Sequence, residues 1–359
     1  MSRVGLIFGG RSVEHEVSLV SARTVFRGLV EAGHEAVPLG IAQDGCWLDA
    51  ATSAARLADP ACRALPALGG SIAPTLRHLL DAKLDAAFPI NHGTWGEDGT
   101  LQGLFEMADV AYVGAGVTAS AAAMDKRIAK ELFRAAGVPV VPSQSLRRAD
   151  RSAFDAQACV DSVELPCFVK PSVGGSSVGV CKARSVAELE QAVDFALRFA
   201  DVVLIERGIE ARELECAVLG YPTLEASVVG EIVPGREFYD YEDKYLTDGA
   251  QLLAPALLDD ATAERVRSHA VRAFEAIEGS GMARVDFFLD RRSDELYVNE
   301  INTLPGFTAI SMYPRLWALS GLPLAALVDR LVQDAIRRRE DRCGLDAGIK
   351  AFLKTLSER

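Results

Sequence analysis

Long apolar runs are missing from this chain. No stretch of its 359 residues approaches the roughly 18 consecutive apolar residues of a membrane-spanning helix. Cationic charge is in short supply: 38 Lys and Arg stand against 50 Asp and Glu, a formal net charge of −12. That balance excludes a general nucleic-acid binder, which needs a basic surface, and argues against docking on anionic lipid. Lysine is the scarcest charged residue, eight against 30 arginines, so each lysine position is informative. The seven cysteines, at positions 46, 62, 159, 167, 181, 216 and 343, form no Cys-x-x-Cys pair. Neither a disulfide framework nor a zinc site is expected, and a reducing cytoplasm fits best. The opening Met1-Ser2-Arg3 runs into a strand-like segment without the regions of a signal peptide.

What is present is an ordinary globular composition, 49% hydrophobic and 25% charged. At about 100–200 residues per domain, the length suggests two or three domains. The run Val4–Phe8 leads through Gly9-Gly10-Arg11-Ser12 into an amphipathic segment ending near Glu31, with Ser12 as the expected N-cap and Gly33 as the stop. A second apolar run, Glu35–Ile41, completes a βαβ pattern with a ligand expected at the strand ends. Residues 50–82 look like an insertion with some helix, and Leu84–Pro89 like a buried strand. Ser120–Ala136 is expected as a single helix. Short strands follow at Phe168–Lys170, Val178–Cys181 and Val202–Glu206, with Ser185 and Glu188 as a capping box. Residues 235–254 read as a long polar loop, the length of a functional lid. A helix over Asp259–Glu278, two strands at Met282–Leu289 and Glu295–Asn302, and a largely helical end complete the chain.

Three stretches carry chemistry. Lys170 through Gly179 ends one strand and reaches the next through three glycines and three serines. Glycines let backbone N–H groups approach phosphate oxygens, serines add donors, and the lysine adds a point charge. In the paired strands, side chains alternate faces. Arg284 and Asp286 therefore share one face, as do Glu300 and Asn302, an all-oxygen set suited to Mg²⁺ but equally to a solvated sheet face. Asn302 through Ser311 turns at Pro305-Gly306 before a helix, whose N–H groups with Thr308 and Ser311 suit either an anion or ordinary capping. Glu14 and His92 lie in Gly-rich surroundings as either substrate contacts or turn residues.

Taken in order, these stretches resemble the ATP-grasp superfamily, and within it the D-alanine–D-alanine ligases along nearly the whole chain. The likeness rests on Gly9–Ser18, His92–Gln102, Met124-Asp125-Lys126, Lys170–Gly179, Tyr239–Tyr245, Ala283–Asp286 and Asn299–Gly306. It implies an α/β fold with three parts. These are a Rossmann-like parallel-sheet domain over 1–122 and two α+β domains, 123–207 and 208–359, that sandwich ATP under the 235–254 lid. It implies ATP-dependent joining of two D-alanines through an acylphosphate, with two Mg²⁺ or Mn²⁺ ions and a homodimer. Lys126, Lys170, Ser176 and Ser177 would meet ATP phosphates, and Glu206 and Glu213 its adenine and ribose. Asp286, Glu300 and Asn302 would hold the metals. Arg284 and the N–H of Gly306 would stabilise the oxyanion. Glu14, with Ser176 and Tyr245, would receive the first amino acid near His92; Lys244 and Ser311 would meet the carboxylate of the second. Gly174 departs from the family pattern, where a polar or bulkier residue is common.

Ligases that use D-serine or D-lactate as the second substrate are the nearest alternatives. The Lys244-Tyr245 pair, without a histidine in the lid, disfavours D-lactate. A dinucleotide-dependent oxidoreductase is disfavoured because no Gly-x-Gly-x-x-Gly follows the first strand. A non-catalytic nucleotide binder would not need the acidic set.

Overall fold

The computed structural model describes residues 1–69, 73–233 and 251–357. The first part contains β1 (Arg3–Gly9), α1 (His15–Glu31), β2 (Glu35–Ile41), α2 (Ala50–Ala58), α3 (Ala73–Asp81), β3 (Ala86–Pro89), α4 (Thr100–Met107), β4 (Ala111–Tyr112) and α5 (Val117–Met124). Its strands form a parallel sheet in the order β2-β1-β3-β4. β1 is buried from Val4 onward, as a parallel sheet covered on both faces requires. Val4, Leu6 and Phe8 enter one core cluster and Ile7 enters another, so the two-residue strand period sorts them between the faces.

The second part contains α6 (Lys126–Ala135), β5 (Ser143–Arg147), α7 (Ala156–Val163), β6 (Cys167–Pro171), β7 (Cys181–Ala183), α8 (Val186–Ala196) and β8 (Val202–Arg207). Its sheet is antiparallel, ordered β5-β8-β6-β7. The third contains β9 (Ala211–Gly220), β10 (Glu225–Val233), β11 (Gln251–Leu253), α9 (Asp260–Ala276), β12 (Gly281–Asp290), β13 (Leu296–Asn302), α10 (Met312–Leu319) and α11 (Leu324–Ser357). Its antiparallel order is β11-β10-β9-β12-β13. Leu327, Val328, Leu331 and Val332 of α11 share a core with Leu19, Val25 and Leu29 of α1. The end of the chain thus packs on the first sheet.

Three local expectations change. The helix expected over Ser120–Ala136 is two, α5 and α6, broken at Asp125. The Asp125 carboxylate accepts from the N–H groups of Arg127 (2.9 Å) and Ile128 (3.2 Å), which caps a new helix at Lys126. Ser12 is not the N-cap of α1; Glu14 occupies that position, and the Ser12 hydroxyl accepts from the Glu14 N–H at 3.2 Å. The strand expected at Val178–Cys181 begins only at Cys181, because the glycine loop extends through Val180. Asp125→Ala should remove about 1 kcal/mol of stability, a typical N-cap loss. Urea unfolding would measure this, and an unchanged midpoint would contradict the capping role.

Candidate functional site

The three sheets enclose a cleft of about 1670 Å³, lined from every part of the chain. At one side the start of α6 is stitched to the glycine loop. The Lys126 N–H donates to the Ser172 carbonyl at 2.8 Å, and Lys126 Nζ donates to the Gly174 carbonyl at 2.7 Å. Gly174 has φ +108°, a conformation that L side chains rarely adopt, so the glycine serves the loop's shape although space around it is open. Ser176 and Ser177 lie in the left-handed region, at φ 52° and 57°. Non-glycine residues held there cluster at functional sites.

The loop reaches the first part of the chain at Glu14. Ser176 Oγ donates to Glu14 Oε1 at 2.6 Å, across 162 positions of sequence. The other Glu14 oxygen lies where bare backbone is needed. A Cβ on Gly93 would stand 2.8 Å from it, and one on Gly175 3.3 Å.

On the cleft's floor, β12 and β13 pair with Asp286 opposite Glu300 and Arg284 opposite Asn302. Their reverse faces, Ala283, Val285, Phe287, Val298 and Ile301, are core. Arg284 clasps Asp286 with two bonds, of 2.6 and 2.7 Å, and lies 3.2 Å from Glu215. Burial opposes the Arg284 charge, but these carboxylates hold it firmly protonated. Asn302 Nδ2 donates to Asp286 at 3.0 Å. A register shift between Asp286 and Phe287 leaves Asn299 as an extra residue on β13. Such a bulge re-aims a side chain. Here Asn299 Oδ1 accepts from Lys170 Nζ at 3.2 Å.

Glu206 is buried between two lysines, with Lys130 Nζ at 2.7 Å from one oxygen and Lys170 Nζ at 2.6 Å from the other. Burial alone would raise its carboxyl, yet Lys130 and Lys170 hold it down at about 2. Lys126 Nζ lies 3.8 Å from Glu300. Glu213 lines the same cleft from β9, opposite Phe288 in register. Phe168 and Phe288 add apolar wall, and Lys170 Nζ sits 5.8 Å from the Phe288 ring centre.

The turn carrying Gly306 is tied to the first domain. His92 Nδ1 bonds the Leu304 carbonyl at 3.0 Å, and its Nε2 bonds Ser21 Oγ at 3.1 Å. Ser21 Oγ accepts from the Phe307 N–H at 3.2 Å. With both ring nitrogens engaged in a buried setting, His92 is pushed down, chiefly by burial and against the charge of Glu14. It is a neutral strut between loops. Ser311 Oγ accepts from the Thr308 N–H at 2.9 Å, and a Cβ on Gly306 would come within 2.8 Å of it. Lys244, Tyr245 and the rest of 234–250 lie outside the described residues; the loop expected over 235–254 is corrected at its end, where Gln251–Leu253 form β11 by pairing with β10.

Sequence reasoning missed Lys130, Asn299, Glu215 and Glu97. Lys130 stands four residues after Lys126, which places both on one helix face. Glu97 Oε2 accepts from the Gly93 N–H at 2.6 Å and Oε1 from the Leu304 N–H at 3.2 Å, bridging two loops. Burial first, then the nearby Glu14 charge, push its carboxyl up to about 8, against those two N–H groups. The folded state therefore holds a proton that the unfolded chain releases between its ordinary 4.5 and about 8. Stability from this group falls as pH rises through that window. Glu97→Gln should flatten the fall, so that its melting temperature gains on the wild type between about pH 5 and pH 8.5. Parallel pH profiles would contradict this assignment.

Known proteins share both the sequence and the shape. The family model described as D-ala D-ala ligase N-terminus matches residues 3–115, and the one for the D-ala D-ala ligase C-terminus matches 132–333. A D-alanine–D-alanine ligase A of Bradyrhizobium diazoefficiens is 48% identical, over 96% of this chain and 98% of that protein. A D-alanine–D-alanine ligase of Mycolicibacterium vanbaalenii is 46% identical, over 94% and 97%. The solved structure of the D-alanine-D-alanine ligase from Coxiella burnetii superposes with a TM-score of 0.83 at 34% identity, covering 98% of this chain and 99% of that one. The VanG D-Ala:D-Ser ligase from Enterococcus faecalis superposes with a TM-score of 0.78 at 33% identity, covering 93% and 99%. With both halves of the family matched in order and the ATP-grasp architecture of its solved members reproduced, the chain belongs to the D-alanine–D-alanine ligase family.

Proposed function

We propose that this protein joins two D-alanines at the expense of ATP, through a D-alanyl phosphate, to supply D-alanyl-D-alanine for peptidoglycan precursors. The observation that carries the reading is the 2.6 Å bond from Ser176 to Glu14, which puts a carboxylate suited to an amino acid's ammonium beside a phosphate loop. Lys126, Lys170 and the loop residues Ser176 and Ser177 bind the ATP phosphates, and Glu206 and Glu213 flank its nucleoside end. Phe168 and Phe288 supply an apolar wall for the base. Glu14 receives the ammonium of the first D-alanine, in a set completed by Ser176 and Tyr245. His92 holds the loop beside it.

Transfer of a phosphoryl group to the D-alanine carboxylate spreads negative charge, so fixed positive groups and N–H donors do the stabilising. Arg284 and the Gly306 N–H stand where the oxyanion forms when the second amino group attacks. Ser311 and Lys244 take the second carboxylate. The 235–254 lid excludes water from the acylphosphate. Asp286, Glu300 and Asn302 offer hard oxygen donors on one sheet face, chemistry suited to two Mg²⁺ or Mn²⁺ ions, which would compete with Arg284 and Asn302 Nδ2 for the Asp286 oxygens. When bound, they would supply charge neutralisation for the transferred group. Among the described residues no helix is long and apolar enough to cross a membrane, and we place the protein in the cytoplasm as a homodimer.

The second substrate is a D-amino acid in this reading. The likeness to the D-Ala:D-Ser ligase supports D-serine as a second reading, since a pocket tolerates one added hydroxyl. ATP, Mg²⁺ and D-alanine should release ADP and yield a product with the mass of the dipeptide. No ADP from D-alanine alone would overturn the main reading, and a faster reaction with added D-serine, giving the mixed dipeptide, would favour the second.

A further inference from the structure

Lys130 has no part in the roles above. It is 1% exposed, lies on α6 one turn beyond Lys126 and does not line the cleft, yet its Nζ is 2.7 Å from Glu206. The opposite oxygen of Glu206 is 2.6 Å from Lys170, which does line the cleft. Burying an ion pair is rarely the cheapest way to fill a core, because an apolar residue of similar size is often as stable or more so. The buried lysine therefore calls for a reason other than packing.

Charge accounting supplies one. Two lysines share one carboxylate, so these three side chains together carry a net charge of +1; burial pushes Lys130 down while Glu206 opposes that, and Glu300 and Glu213 also act on Lys170. Without Lys130, Glu206 and Lys170 would form a closed neutral pair, and the polyanion would meet no net positive charge there. We propose that Lys130 is a positioning residue that neutralises Glu206 and so leaves the charge of Lys170 available to the phosphates of ATP. This rests on the reading that Lys170 meets those phosphates.

The test compares binding of Mg²⁺-ATP and of adenosine, which lacks phosphates, by calorimetry without D-alanine. The readout is the ratio of the two affinities. In Lys130→Met that ratio should fall by at least about tenfold, reflecting one lost unit charge at close range. Lys130→Arg should keep it within about threefold, since the charge is retained. The double variant Lys130→Met with Glu206→Gln removes both charges; any loss at the nucleoside end assigned to Glu206 falls on ATP and adenosine alike, so the ratio should return to within about threefold of wild type. It also carries the test if the single variant fails to fold, because no buried carboxylate is left without its partner. An unchanged ratio in Lys130→Met, or a double variant whose ratio is lower by tenfold, would overturn the proposal. Lys170→Met separates the two levels. Wild-type ATP affinity in that variant would remove the underlying reading, whereas loss there beside a normal ratio in Lys130→Met would sink the role of Lys130 alone.

Discussion

A hydrogen bond from Ser176 Oγ to Glu14 Oε1 joins the glycine loop to the first βαβ unit. The site depends on that contact because its two ends have different jobs and different anchors. Glu14 is held at the N-cap of α1, where the first strand delivers the chain. Ser176 is held in a left-handed conformation by a loop whose base is pinned to Lys126. Gly93 and Gly175 have no side chain where the Glu14 carboxylate needs room, so three distant loops can converge on one carboxylate.

The electrostatics follow the same logic. In a chain with a net charge of −12, Lys126, Lys170 and Arg284 are grouped in the cleft and each is restrained by a nearby carboxylate. Arg284 is clasped by Asp286 on its own strand and approached by Glu215 from β9. Lys170 is shared between Glu206 on β8 and Asn299 at the bulge of β13. Preorganised groups of this kind need little rearrangement when charge develops. The cleft lining is itself more acidic than basic, so the placement of Lys126, Lys170 and Arg284, rather than the sign of the total, makes local positive sites.

Much of this was legible in the sequence. Strand periodicity of two predicts that Arg284, Asp286, Glu300 and Asn302 share a face, and the register places Asp286 opposite Glu300. The order Gly9-Gly10, Glu14, Lys126, Lys170 and the acidic strands carried the family resemblance. What stayed hidden depends on tertiary partners. The break at Asp125 could not be told from a continuous helix, since its value comes from tying Lys126 to the loop through Ser172. The bulge at Asn299 needs two residues counted against one on the partner strand. Lys130 reads as another polar residue on an amphipathic helix until Glu206 is seen beside it. Glu97 reads as a loop charge until the Leu304 N–H arrives from more than 200 positions away.

The central claim is that the Glu14–Ser176 contact builds the amino-acid site against the phosphate loop. A double-mutant cycle with Glu14→Gln and Ser176→Ala, read in the D-alanine concentration dependence of ADP release, tests it most directly. The account predicts that each single change weakens D-alanine use, and that the double variant loses less than the two separate losses combined, a coupling of about 0.5–3 kcal/mol for residues in contact. Strict additivity of the two changes, or unaltered D-alanine dependence in Glu14→Gln, would contradict it.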